Sequence, residues 1–343
     1  MKTLFKYGKA EFKIAENFRE LSYEIGNYGN DVLWICDTNT ARMVRPLPQP
    51  NIIVSPGEGS KNFNTIERII TCAIDSRMTK DSVFLGLGGG MICDVTALAA
   101  SLFHRGCRCV LVPTTLMAMA DACLGGKTGI NYRNEKNVVG TLYSPDEVVL
   151  CPEMLRSISE KDFYNGLAEI TKHALISENR ELYEELVLGR QKIVSRDQET
   201  VTRLIELSLR VKLSMIENNR EDALNLGHIF GYCLETLFDF QKTHGECVAW
   251  GISRSTELSY RAGLCDRSFY EEVDRILLPF KYNINYRVPR SNWQVFKNIL
   301  SKNAEYRATD NKFHVLKAMG DVVSYQAEEK LIKDVVIEGV TYL

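Results

Sequence analysis

The sequence predicts two domains: an α/β domain over residues 1–151, built on a mainly parallel sheet, and a mainly α-helical domain over residues 152–343. Three observations carry the prediction. The first half alternates short apolar runs with stretches of helical periodicity. The second half holds long helical periodicities and few strand candidates. A length of 343 residues is that of two ordinary domains.

Taken in order, residues 31–36 are a short apolar run ending on Asp37-Thr-Asn39, polar residues suited to a turn. Residues 51–55 repeat the pattern and close on Pro56-Gly57. Over 64–78, Ile66, Ile69, Ile70, Ala73 and Ile74 recur at helical spacing. Val83-Phe-Leu85 leads into Gly86-Leu-Gly-Gly-Gly90. Residues 92–103 read as a helix, 107–112 as a strand stopped by Pro113, and 148–150 as one more strand. Strands without clean polar alternation, separated by helices, point to a parallel sheet covered on both faces. Beyond residue 152 the spacing predicts helices over 160–176, 180–188, 198–216, 225–238 and 245–262, punctuated by Gly189, Gly227 and Gly263. No internal repeat or low-complexity segment interrupts them.

Composition excludes several classes. Lys+Arg is 42 and Asp+Glu 44, a net charge of −2, with 45% hydrophobic and 25% charged residues. That balance is globular, with no electrostatic footprint for nucleic acid or an anionic membrane. Apolar stretches such as 97–103 are far too short to span a bilayer. The opening MKTLFKYGKAEFKIAE has charges every few residues and no apolar signal core. Ten cysteines without dense regular spacing, and no CxxC pair, read as buried or free thiols of a reducing compartment. The expectation is a cytoplasmic protein with a small-molecule ligand.

Two glycine clusters are candidate ligand loops. Leu85-Gly-Leu-Gly-Gly-Gly-Met-Ile-Cys-Asp94 follows a strand and opens a helix, where permissive backbone and free N–H groups suit a phosphate. It is neither the GxGxxG fingerprint nor GxxxxGK[ST], and a tight turn without a ligand is the alternative. Pro56-Gly-Glu-Gly-Ser-Lys61 is a second strand-end turn, whose Glu58 and Lys61 suit ribose or adenine but equally suit solvent. In the second cluster, Thr114 and Thr115 put hydroxyls at a strand end, where open sheets bind ligands. Gly125-Gly126-Lys127 sets a cation beside permissive backbone, and Lys136-Asn137 adds a cation and an amide.

The chain has five histidines. Two lie in polar, glycine-flanked settings, Asn225-Leu-Gly-His228 and Thr243-His244-Gly-Glu246. Glu169, in Gly166-Leu-Ala-Glu-Ile-Thr-Lys172, shares a helix face with Lys172. One carboxylate and two imidazoles make a common ligand set for catalytic zinc with an open position. Taken singly, each histidine reads equally as a hydrogen-bonded structural residue. His104 and His173 read as non-ligands and His314 as a surface residue.

These motifs, in this order, resemble the 3-dehydroquinate synthase and sugar-phosphate cyclase family. The resemblance runs from about Asp37 to Gly263 through Pro56-Gly-Glu-x-x-Lys61, Gly88-Gly-Gly-x-x-x-Asp94, Arg105-Gly106, Pro113-Thr-Thr-Leu116, Asp121, Gly125-Gly-Lys-Thr-Gly129, Lys136-Asn137, Gly166-Leu-Ala-Glu-x-x-Lys172, Asn225-Leu-Gly-His228 and His244-Gly-Glu246. It implies a Rossmann-like NAD-binding domain, a helical domain and an active cleft between them. It implies metal ligation by Glu169, His228 and His244, of zinc or cobalt. It places NAD on Gly89, Gly90, Met91, Ile92, Asp94, Thr114 and Thr115, with Asp121 nearby. Asp37, Asn39, Glu58 and Lys61 fall at the adenosine end, and Lys127, Lys136 and Ser157 beside the cofactor. Substrate contacts map onto Lys127, Asn137, Lys172, Lys212 and Asn225. Arg105 maps onto a residue reaching the neighbouring subunit's site, which implies a homodimer. The implied reaction is a lyase reaction of aromatic amino acid biosynthesis, the shikimate pathway. It cyclises 3-deoxy-D-arabino-heptulosonate 7-phosphate to 3-dehydroquinate with loss of phosphate, NAD being reduced and reoxidised in each turnover.

Three departures bear on the substrate. The family's His-Thr-Phe-Gly-His is here His228-Ile-Phe-Gly-Tyr232, a phenol in place of a substrate-binding imidazole. The segment between Lys212 and Asn225 is short, and its acidic-glycine-arginine motif is reduced to Glu217-Asn-Asn-Arg220-Glu-Asp222. The C-terminal Asp-Lys-Lys motif is replaced by Ser301-Lys-Asn-Ala304. Leu155-Arg-Ser-Ile158 also replaces the usual Thr-Leu-Pro. The alternatives are therefore a cyclase acting on another substrate, such as sedoheptulose 7-phosphate or glucose 6-phosphate, or a non-catalytic ligand-binding paralogue.

Overall fold

The computed structural model describes residues 1–133 and 135–338. Contacts divide the chain into two units, Met1–Ser159 and Glu160–Leu343.

The first unit contains β1 (Lys2–Tyr7), β2 (Ala10–Ile14), α1 (Phe18–Gly26), β3 (Val32–Asp37), β4 (Asn51–Val54), α2 (Phe63–Asp75), β5 (Val83–Gly88), α3 (Gly90–Leu102), β6 (Arg108–Pro113), β7 (Ile130–Tyr132), β8 (Glu135–Val139) and β9 (Glu147–Leu150). Seven strands form one sheet in the order β1-β2-β9-β6-β5-β3-β4, parallel except for the edge pair β1–β2. β3 and β5 are buried along their whole length. That burial requires cover on both faces and explains why they read as continuous apolar runs. The edge hairpin β1–β2 carries none of that signal. β1 is half exposed, and its charged residues blur the alternation that would mark a strand. The hairpin β7–β8 lies in what reads as loop.

The strand order turns at β3. The chain steps from β3 outward to β4, returns across β3 to β5, and continues to β6 and β9 on the other side. The carboxyl ends of β3 and β5 therefore flank a topological switch point, the usual ligand position in an open α/β sheet. The residues arriving there are Asp37 and Gly88.

The second unit contains α4 (Glu160–Ile176), α5 (Glu181–Leu188), α6 (Arg190–Val194), α7 (Gln198–Glu217), α8 (His228–Leu237), α9 (His244–Arg261), α10 (Arg267–Leu277), α11 (Trp293–Lys302), α12 (Ala304–Ala308), β10 (Phe313–Ala318), β11 (Asp321–Tyr325) and α13 (Glu329–Val336). α9 is its axis, buried from Cys247 through Ser259 and packed by α4, α8, α10, α13 and β10. Buried Arg254 on α9 donates to Glu257 and to the carbonyls of Val335 and Ile284, tying α13 and the segment before α11 to this helix.

Two expectations are corrected here, for residues 225–238 and for His314. The helix read over 225–238 begins at His228, because Gly227 takes a left-handed conformation (φ 78°) and Asn225 ends a separate helical turn. The helical half also contains the antiparallel hairpin β10–β11, and Phe313 stacks on Phe230 at 4.5 Å in the core. His314 is not a surface residue. It is buried on β10, and burial holds its pKa below the ordinary histidine value. Among the described residues no helix is long and apolar enough to cross a membrane.

Candidate functional site

The second unit brings one carboxylate and two imidazoles together. Glu169 sits in the middle of α4, wholly buried, while His228 and His244 are the first residues of α8 and α9. Glycines set the approach of these helices. A Cβ on Gly251 would lie 2.0 Å from the Gly227 carbonyl, and one on Gly245 would lie 2.2 Å from the Asn165 carbonyl. Both distances are impossible, so only hydrogen lets α9 touch α8 and α4 this closely. A capping box of Thr243 and Glu246 fixes the start of α9, and Asn165 accepts from the Gly245 N–H at 2.6 Å.

The result is a compact donor set. Nε2 of His244 lies 3.2 Å and Nε2 of His228 3.6 Å from Glu169 Oε1, with the two ring centroids 5.4 Å apart. One ligand atom from each residue falls within 4.8 Å of the others. The other ring nitrogens are spoken for. His228 Nδ1 lies 3.2 Å from the Leu226 carbonyl, and His244 Nδ1 lies 3.0 Å from Glu235 Oε1. Both partners only accept, so each Nδ1 carries a proton and a neutral ring keeps its Nε2 lone pair toward Glu169. Three Lewis bases turned toward one point, two of them oriented from behind, fit a divalent cation.

Electrostatics separate the two histidines. Burial and the Lys172 ammonium push His228 down to about 4, so it is neutral at pH 7. Burial also pulls His244 down, but hydrogen bonds to Glu169 and Glu235 override it and lift it to about 9. Without a cation, a proton on His244 Nε2 occupies the position that a metal would take. Lys172, one turn on from Glu169 and buried, forms an ion pair with that carboxylate. Glu235 was not singled out from sequence. Its signal was available, since His228, Tyr232 and Glu235 share one face of α8 at four- and seven-residue spacing. Tyr232, Asn225 and Lys212 are half-buried.

The first unit gathers a different set. At the end of β5, Gly89 caps α3, and Gly90, Met91 and Ile92 form its first turn. A Cβ on Gly88 would lie 2.5 Å from Ile92, and one on Gly86 2.5 Å from the Thr96 hydroxyl, so both glycines serve helix-on-strand packing. Thr114 is buried beside this turn, its N–H donating to the Gly88 carbonyl, and Thr115 would touch a Cβ on Gly89. Lys61 is buried, pairs with Asp94 on α3 and donates to Asn137. Its carbonyl accepts from Asn131, and Glu58 accepts from the Asn131 amide at 2.9 Å. Lys61 thus pins the β7–β8 hairpin to the carboxyl end of the sheet.

The remaining predicted residues of this unit are dispersed around it. Asp37 accepts from the backbone N–H groups of Asn39 and Thr40, a local turn at the end of β3. Asp121 lies in a single π turn, Ala118–Ala122. Lys127 is exposed behind Gly125 and Gly126, both at positive φ, and Lys136 is half-buried on β8. Ser157 closes a short helical turn by donating to the Met154 carbonyl. Arg105 is exposed at φ 65°.

Comparison with known proteins gives the family. Residues 51–165 match the family described as 3-dehydroquinate synthase N-terminal, and residues 166–305 its C-terminal counterpart. A 3-dehydroquinate synthase of Dictyoglomus thermophilum is 35% identical over 251 residues, 71% of this chain and 70% of that one. One of Campylobacter concisus is 32% identical over 286 residues, 82% and 77% of the two chains. Among solved structures, a 2-deoxy-scyllo-inosose synthase complexed with carbaglucose-6-phosphate, NAD+ and Co2+ superposes with TM-score 0.84 at 20% identity, covering 96% of this chain and 97% of that one. A 2-epi-5-epi-valiolone synthase of Streptomyces hygroscopicus with NAD+ and Zn2+ bound gives 0.83 at 21% identity, covering 96% of each. At these identities the structural likeness is one of fold.

Proposed function

The chain belongs to the 3-dehydroquinate synthase family of lyases, and we propose that it cyclises 3-deoxy-D-arabino-heptulosonate 7-phosphate to 3-dehydroquinate with release of phosphate, using NAD and a divalent cation, zinc or cobalt. The observation that carries this reading is the convergence of Glu169, His228 and His244 beside Lys172. Bound NAD supplies a reversible hydride acceptor, and the cation a Lewis acid.

The chain's own residues supply the rest. Glu169, His228 and His244 hold the cation, and Glu235 holds His244 in the tautomer that ligates. Lys172 offers a buried ammonium to a substrate oxygen, where low dielectric strengthens the contact. Lys127, Asn137, Lys212, Asn225 and Tyr232 bind substrate, the lysines taking its anionic groups. Arg105, exposed on its own subunit, serves the partner site of a homodimer. Asp37, Asn39, Glu58, Lys61, Gly89, Gly90, Met91, Ile92, Asp94, Thr114, Thr115, Asp121, Lys127, Lys136 and Ser157 hold NAD. Among these, Lys61 and Asp94 act largely through each other, because their charges already pair.

The test is phosphate release by the purified protein with NAD and zinc or cobalt, over a panel of sugar phosphates. Release from the heptulosonate phosphate is expected. No release from it, with turnover of sedoheptulose 7-phosphate or glucose 6-phosphate, assigns the second reading. That reading is favoured by one observation: Tyr232, on the ligand-bearing face of α8, is a phenol where the family carries an imidazole. Tyr232→His separates the two. It improves turnover of the heptulosonate phosphate under the first reading, and leaves it unchanged or worse if the pocket is built around the phenol.

A further inference from the structure

Three consecutive residues between α3 and β6 lie at positive φ: His104 (49°), Arg105 (65°) and Gly106 (127°). Glycine takes such backbone freely, but a side chain at His104 or Arg105 makes it costly. Strain of this kind persists only where the surroundings over-determine it, and it clusters at functional sites. Arg105 is exposed, so the hold on this arch comes from elsewhere.

That hold is Tyr143. Its hydroxyl donates to the Cys107 carbonyl at 2.6 Å. Burial pushes the phenol up to about 12, so it keeps the proton that makes the bond. A Cβ on Gly106 would lie 3.3 Å from the same hydroxyl, so glycine lets the arch close down on the ring. The Gly106 and Cys107 N–H groups return to the Phe103 and Ala100 carbonyls at 2.9 and 3.1 Å. The Lys9 ammonium lies 4.6 Å from the Tyr143 ring centroid and pairs with Asp146, which accepts from the Cys109 N–H at 2.8 Å. Ring, arch and the start of β6 thus hold one another.

The same residue ties a second loop. The Tyr143 N–H donates to the Gly126 carbonyl at 2.7 Å, and Lys127 bridges to Leu142. Gly125 and Gly126 are also at positive φ, and Lys127, like Arg105, is exposed. Two tight loops therefore each present one cation. Tyr143 joins them, one through its backbone and the other through its hydroxyl.

We propose that Tyr143 is a positioning residue, whose hydroxyl sets where Arg105 is presented relative to Lys127. It thereby couples the anion contact that a subunit lends its partner to the one it keeps for itself. This rests on the substrate roles proposed above for Arg105 and Lys127.

Tyr143→Phe removes one oxygen and keeps the ring, the Lys9 contact and the backbone bond to Gly126. Two measurements on the full chain, loaded with NAD and metal, test the proposal. Amide exchange needs no substrate. Tyr143→Phe is expected to speed exchange of the Gly106 and Cys107 N–H groups about tenfold. Thr128, whose N–H donates to the Thr141 carbonyl, stays protected. A double-mutant cycle reads function, through KM for the sugar phosphate that is turned over or, without turnover, through the calorimetric Kd of the heptulosonate phosphate. Tyr143→Phe is expected to raise that constant about tenfold. It adds nothing further in an Arg105→Met background and adds fully to Lys127→Met.

Unchanged exchange at Gly106 and Cys107 overturns the proposal whatever the cycle gives. Losses that add to Arg105→Met overturn it too, since a hydroxyl serving stability alone acts independently of that guanidinium, and they leave the role of Arg105 standing. Coupling to Lys127→Met in place of Arg105→Met overturns the assignment of the hydroxyl to the arch. An Arg105→Met variant with an unchanged constant removes the substrate role of Arg105 and this proposal with it.

Discussion

The metal-type site of the second unit and the glycine turn of the first are built from opposite materials. Around Glu169 the site is made of side chains. A buried carboxylate, two oriented imidazoles, the Lys172 ammonium and Glu235 hold one another in place. At the end of β5 it is made of backbone, with Gly89 and Gly90 opening α3. The charges of Lys61 and Asp94 beside it are already paired. The contrast teaches where sensitivity to substitution lies. A side-chain site fails when one donor is lost, whereas a backbone site fails when its supports move.

The largest effect is expected at the shared donor. Glu169→Ala removes the carboxylate that both imidazoles face and strands Lys172 as a buried unpaired charge. Metal content drops below stoichiometric, and turnover falls by about three orders of magnitude, the scale of several kcal/mol of Lewis-acid stabilisation. Metal analysis alongside phosphate release checks both. Full metal occupancy in Glu169→Ala, His228→Ala and His244→Ala alike removes the ligand assignment and, with it, the contrast.

The corresponding break in the first unit is Lys61→Met. It leaves Asp94 without its cation and frees the β7–β8 hairpin from its anchor. Breaking a buried pair costs about 3–5 kcal/mol, and Asp94's partial exposure reduces this toward about 2 kcal/mol. The thermal midpoint falls, NAD binds more weakly, and metal affinity is unchanged. Equal loss of metal affinity contradicts a backbone site supported from a distance.

How much of this was legible in the sequence differs between the halves for the same reason. The parallel strands were readable because burial on both faces leaves unbroken apolar runs, as in β3 and β5. The β1–β2 and β10–β11 hairpins were not, because β1 interleaves charges on an exposed edge and β10 carries His314 into the core. The residues proposed as ligands were legible by type and through the family resemblance. Their convergence was not, because it depends on Gly251 meeting the Gly227 carbonyl, a contact between positions 24 apart in the chain. Glu235 shares a face of α8 with His228, but its role rests on His244 lying beside it, a proximity that spacing along α8 does not give.

A smaller effect tests the oriented imidazole. Glu235→Gln keeps a hydrogen-bond acceptor beside His244 Nδ1 but removes the charge. Loss of such a support costs about 10- to 100-fold in metal affinity. Zinc affinity measured with a competing chelator reads this directly. An unchanged constant means that packing, rather than Glu235, orients the ring.

The smallest effect is a slope, and it distinguishes the two histidines. His228 is pushed down to about 4 and carries no displaceable proton at neutral pH, while His244, lifted to about 9, carries one. Metal binding therefore releases one proton across pH 6.5–8.5, and affinity rises about tenfold per unit of pH. The metal-free protein follows the opposite sign. A histidine whose folded pKa is raised contributes stability that is fully present below its unfolded value near 6.5 and is lost as pH rises through about 9. Raising pH thus weakens this contribution in the metal-free protein while tightening the metal. Chelator competition at three pH values, with melting curves of metal-free protein alongside, measures both. A slope of two means that both rings are protonated and that the asymmetry imposed by Lys172 and Glu235 is absent. A slope of zero means that His244 is already neutral and that its two carboxylate partners act only as geometry.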